Sequence, residues 1–181
     1  KEPARTGQAV RLGPKASDDD HPVVDDQVEN GVRKFSDNDE PRRALDLGDV
    51  QVLGGTTWLW SRLEYADSVD VLFVDEAGQM SLANVLGAAR AATNLVLLGD
   101  PQQLEQPSKG SHPDGVGVSA LQHVLGNAAT MPDALGLFLP ITWRLAPAIC
   151  AFTSELFYEQ QLASKPGLER QILRRAGRFD G

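Results

Sequence analysis

Val69-Asp70-Val71-Leu72-Phe73-Val74-Asp75-Glu76-Ala77-Gly78-Gln79 is a short, nearly continuous apolar run that ends in two adjacent carboxylates. Such a run fits a parallel strand covered on both faces. Farther along, Asn94-Leu95-Val96-Leu97-Leu98 has the same character and ends in Gly99-Asp100. Upstream, Val50-Gln51-Val52-Leu53 ends in Gly54-Gly55-Thr56-Thr57. Helical spacing separates and follows these runs, with Leu82, Val85, Leu86 and Ala89 predicted on one face. A shorter face holds Leu121, Val124 and Leu125, and another holds Ile149, Phe152, Leu156 and Phe157. Strand, helix and strand in alternation predict a doubly wound α/β sheet. In such a sheet, ligands gather where strands end in polar or glycine residues.

The end of the first run carries the sharpest chemistry. Two carboxylates at the tip of a buried strand are costly unless a cation or a proton transfer uses them. In phosphate-cleaving ATPases the first acid holds Mg²⁺, usually through water, and the second polarises the attacking water. The competing reading is a solvated Asp-Glu pair opening a helix, where acids favour the N-terminal dipole. The second tip, Gly99-Asp100-Pro101-Gln102-Gln103-Leu104, offers a neutral amide in Gln103. That amide can donate to a phosphate oxygen and accept from water. A plain Gly-Asp-Pro turn would need no ligand. The two tips lie about 25 residues apart, as one strand–helix–strand unit requires, so their joint occurrence is the more specific signal.

Composition sets the bounds. The 181 residues are 41% hydrophobic and 23% charged, as in soluble globular proteins, and long enough to form a core. The net charge of −8 argues against a surface coated for non-specific nucleic-acid binding. It leaves room for a local groove that binds a strand. A single cysteine, Cys150, excludes an internal disulfide and reads as a small core residue. His21, His112 and His123 have no ligand spacing. No run of about 18 apolar residues occurs, so no membrane span is predicted, and the cytoplasm is the default compartment. Residues 1–49 read as an acidic connecting segment with turn-rich clusters such as Ser17-Asp18-Asp19-Asp20, and a mobile surface stretch is expected there. The stretch from Pro107 to Gly117 reads as loop.

Asp75-Glu76-Ala77-Gly78-Gln79 resembles motif II of superfamily 1 helicases, and Gly99-Asp100-Pro101-Gln102-Gln103-Leu104 resembles their motif III. Thr142-Trp143-Arg144-Leu145-Ala146-Pro147, followed by Ser154-Glu155-Leu156-Phe157-Tyr158-Glu159, is similar to motif IV of one 5′-to-3′ subgroup. That subgroup includes the nonsense-mediated-decay helicase and bacterial relatives, some fused to a RecB-type nuclease. Gly54-Gly55-Thr56-Thr57-Trp58 is similar to a segment that contacts the nucleic-acid backbone. The resemblance runs from about Val50 to Gly167, with its four blocks in order.

By resemblance, Asp75 would hold Mg²⁺ and Glu76 would activate water. Gln103 would contact the ATP γ-phosphate, Gln79 would couple nucleotide state to the strand-binding surface, and Asp100 is grouped with the nucleotide contacts. Arg144 would act as an arginine finger, a task that suits its permanent charge and planar fork. A surface salt bridge or stacking on Trp143 is the alternative for Arg144. Thr56 and Thr57 would touch the strand, although the turn they occupy needs no ligand to explain it. The family often has Tyr-Arg-Met-His-Pro where this chain has Trp143-Arg144-Leu145-Ala146-Pro147; the arginine is kept and the histidine is not.

The implied fold is a RecA-like, P-loop NTPase type sheet, incomplete within these residues. Residues 50–138 would form part of a first RecA-like domain, and residues 139–181 would begin a second. No Gly-x-x-x-x-Gly-Lys-Ser/Thr loop occurs to cradle the phosphates. The expectation is therefore a piece of a longer ATP-dependent helicase that on its own hydrolyses no ATP and folds poorly. DNA is favoured over RNA, and whether a nuclease domain is fused to the motor stays open. Two other readings stay open: a degenerate, non-catalytic motor domain that binds nucleic acid or protein, and a different P-loop ATPase.

Overall fold

The computed structural model describes residues 12–14, 34–35, 37, 39–103 and 117–171. Two predicted runs become strands: β3, Val69–Val74, and β4, Ala92–Leu97. They pair in parallel, with Val69 opposite Ala92 and Val74 opposite Leu97. Between them runs α3, Leu82–Ala89, whose Ser81 cap accepts a hydrogen bond from the Asn84 amide. The third run gives a shorter strand than expected, β2, Val52–Gly54. It pairs in parallel with β1, Leu12–Pro14. Beyond β2 comes one turn of helix, α2, Thr57–Trp60. The order then continues through α4, Ala120–Leu125, to β5, Ile141–Thr142. It closes with α5, Pro147–Phe157, and β6, Ala163–Ser164, which pairs in parallel with β5.

The result is a mixed α/β chain built on parallel pairing. Among the described residues the strands form three separate two-stranded sheets, where one doubly wound sheet was expected. The main core gathers Leu59, Trp60, Tyr65, Leu72, Val74 and Val85, with further residues from α3 and α4. α4 is stitched onto the segment after β3: the amides of Ala120 and Leu121 donate to the carbonyls of Met80 and Ala77. This anchors the turn that follows the acidic tip.

Three sequence expectations are corrected. β3 is covered on one face only: Leu72 and Val74 are buried, while Phe73 is 64% exposed. Successive strand side chains alternate faces, and the helices cover one of them. On α3 the buried stripe is Val85 and Ala88, and Leu86 points outward. α5 turns its predicted apolar face to solvent, because Cys150 and Ser154 face inward. Ser154 is held there by hydrogen bonds: its Oγ accepts from the Leu162 amide, and its carbonyl accepts from the amides of Tyr158 and Gln160.

The predicted connecting segment also holds structure. α1, Asp39–Asp46, packs Ala44 against fully buried Phe35 and Val50. Residues 15–33, His21 among them, lie outside the described residues. So do Leu104 and positions 105–116, which include His112 and nearly all of the predicted loop. Among the described residues no helix is long and apolar enough to cross a membrane.

Candidate functional site

The tips of β3 and β4 lie side by side. The Leu98 amide donates to the Val74 carbonyl at 2.8 Å, and the Ala77 amide donates to the Leu98 carbonyl at 2.8 Å. Two glycines let the following turns approach this closely. A Cβ on Gly78 would overlap the Asp100 carbonyl, and one on Gly99 would sit 2.9 Å from the Ala77 nitrogen. Gly99 also has φ +153°, which side chains other than glycine's disfavour. Replacing Gly78 with Ala forces the two turns apart, so a loss of about 1–3 kcal/mol is expected from overpacking alone. A thermal midpoint unchanged in that variant would contradict this packing.

Asp75 and Glu76 project from the first tip, and both are exposed. Asp75 Oδ1 accepts the Glu76 amide at 3.0 Å. Glu76 itself has φ +53°, a left-handed conformation uncommon outside glycine, asparagine and aspartate. Backbone strain of this kind gathers at functional sites.

A hydrogen-bonded chain then joins the two tips. Gln79 Nε2 donates to Gln103 Oε1 at 2.8 Å and reaches Glu76 Oε2 at 3.4 Å. With its oxygen engaged, the Gln103 NH₂ group has no acceptor among the described residues, so it is available to an anion. Glu76, Gln79 and Gln103 are thus brought together, with Asp75 beside them. Among the described residues no group of three or more His, Cys, Asp or Glu side chains could hold a metal ion. Asp75 suits a weakly chelated Mg²⁺, which keeps several waters and takes one or two carboxylates.

Asp100 is differently engaged. Its Oδ1 accepts the Gln102 amide at 2.9 Å, and its Oδ2 accepts the Tyr158 hydroxyl at 2.6 Å. Burial, reinforced by the Asp100 carboxylate, pushes the Tyr158 hydroxyl well above the usual phenol range. Arg144 is exposed, and no hydrogen bond or ion pair joins its side chain to Asp75, Glu76, Gln79 or Gln103. It lines a cleft of about 840 Å³ shared with Gly99, Asp100 and Tyr158. The Trp143 ring is taken by Lys165, whose Nζ lies 3.1 Å from the ring centroid. Among the described residues, no cation–π contact joins Arg144 to Trp143 and no ion pair includes its side chain.

Thr56 precedes α2 as its cap, but its side chain makes no capping bond. Thr56, Thr57 and Asp75 line a second groove, of about 760 Å³, together with the residues of β3. Reasoning from the sequence missed Tyr158, Thr130 and Gln161. Their partners are distant along the chain, and no local spacing marks them.

No family profile matches the chain. A curated relative, the 5′-3′ DNA helicase ZGRF1 of Mus musculus, is 33% identical over 96 residues, which is 52% of this chain. The chain spans only 5% of that relative's length. The likeness supports a helicase relationship and reaches no further than the aligned stretch.

Proposed function

We propose that this chain is part of an ATP-driven, superfamily 1-type helicase motor acting on nucleic acid, DNA before RNA. In this reading residues 50–138 contribute to a first RecA-like domain, residues 139–181 open a second, and residues 1–49 connect. The observation that carries it is the Glu76–Gln79–Gln103 chain across two adjacent strand tips. The likeness to a DNA helicase supports the choice of DNA.

Magnesium-bound ATP would supply the phosphoanhydride bond that is broken. Asp75 would hold Mg²⁺, which would neutralise charge on the phosphates, and Glu76 would accept a proton from the attacking water. The free NH₂ of Gln103 meets the terminal phosphate, and Gln79 ties that contact to Glu76. Arg144, which lines the cleft beside Asp100, would add positive charge when nucleotide binds. Thr56 and Thr57 offer hydroxyls to a nucleic-acid backbone. This reading requires a phosphate-cradling loop from a segment outside residues 1–181, so the test uses the full-length polypeptide that carries them. Magnesium-dependent ATP hydrolysis that rises on adding single-stranded DNA is the expected result. DNA binding without hydrolysis would leave a non-catalytic binding module instead, and neither binding nor hydrolysis would overturn the proposal outright.

A further inference from the structure

The turn after α5 is held in an unusual shape. Glu159 and Gln160 have φ of +52° and +62°, two successive left-handed residues of which neither is glycine. Such a pair persists only where surrounding contacts over-determine it. Here those contacts cross to the other half of the chain. The Tyr158 hydroxyl donates to Asp100 Oδ2, Thr130 Oγ1 donates to Glu159 Oε2, and Gln161 Nε2 donates to Thr130 Oγ1 at 3.1 Å. On the opposite side, Gln102 Nε2 reaches the Ala129 carbonyl at 3.5 Å. A continuous polar seam thus runs from the end of α5 through Ala129 and Thr130 to the turn that carries Gln103.

Asp100 is the pivot of this seam. One carboxylate oxygen clamps the Gln102 amide, which fixes the turn immediately before Gln103, and the other is occupied by Tyr158. With both oxygens engaged, Asp100 is suited to shaping the turn rather than to touching nucleotide. The Tyr158 ring is seated independently against Phe138, with ring centroids 6.2 Å apart. Removing the hydroxyl therefore leaves the ring in place.

We infer that Tyr158 is a positioning residue whose hydroxyl latches the end of α5 to the Asp100 turn, so that movement of the unit bearing Arg144 is transmitted to Gln103. The functional half of this inference rests on the motor reading above. The contact itself does not.

Two measurements on Tyr158→Phe in the full-length polypeptide separate them. Amide hydrogen exchange at Gln102 and Gln103 is expected to quicken about tenfold, while exchange in β3 stays as it was. Turnover of ATP is expected to fall about tenfold, with KM for ATP within about twofold of the original. Unchanged exchange at the turn, or acceleration spread evenly through β3, would overturn the latch. Local acceleration with unaltered turnover would overturn its coupling to Gln103. A wild-type protein that hydrolyses no ATP would remove the motor reading and the coupling with it, while faster exchange confined to the turn would still uphold the contact.

Discussion

Replacing Glu76 with Gln in the full-length polypeptide is expected to lower ATP turnover about a thousandfold while leaving nucleotide affinity nearly intact. The substitution preserves length, shape and an oxygen to accept the weak bond from Gln79. It removes only the ability to take a proton. Glu76 is exposed and packs against nothing that its charge must satisfy, so the fold has little stake in that carboxylate. Its left-handed backbone is unaffected, because glutamine and glutamate meet the same steric limits there. Steady-state hydrolysis paired with binding of a fluorescent nucleotide reads both quantities. A drop of less than about fivefold would remove Glu76 from the role of general base.

Arg144→Ala is expected to act as strongly on turnover, by about a thousandfold, through the loss of the positive charge proposed to act on the phosphates. The same change should move folding stability by no more than about 0.5 kcal/mol, as for other partnerless surface positions. The structure makes that contrast sharp. The Arg144 side chain has no ion-pair partner among the described residues, and Lys165 already occupies the Trp143 face. Arg144→Lys should recover only part of the activity, since an ammonium cannot meet two phosphate oxygens in a planar fork. Equal losses of stability and turnover would instead assign Arg144 a structural role.

The part of the fold that the sequence made legible is the part where each strand speaks for itself. The runs ending at Val74 and at Leu97–Leu98 are continuous and apolar, and they stop at acidic or glycine residues, so both strands and their adjacent tips could be anticipated. The helix between them was legible from its spacing, but not which stripe would be buried. Leu86 is the more hydrophobic choice, and yet Ala88 faces the core, while Gly87 lies against Ser61 at the end of α2, where a Cβ would come within 3.1 Å of the Ser61 hydroxyl. On α5, too, small residues face inward, Cys150 and Ser154, the latter accepting the Leu162 amide. Phe35 and α1 were read as connection because acidic residues surround them, and the burial of one aromatic ring leaves no periodic trace. Within the site, Glu76 and Gln103 were found because each follows a strand end, and Gln79 because Asp75 to Gln79 resembles a helicase motif. The Asp100–Tyr158 bond joins residues 58 positions apart, which no single-sequence pattern reports.

The most direct test is an experimental structure of the full-length polypeptide bound to Mg²⁺ and ADP with aluminium fluoride, a mimic of the phosphate in transfer. A hydrated cation beside Asp75, a water held by Glu76, and the Gln103 amide within hydrogen-bonding reach of the fluoride are expected. Nucleotide bound elsewhere on the molecule, with the β3 and β4 tips bare, would contradict the motor reading.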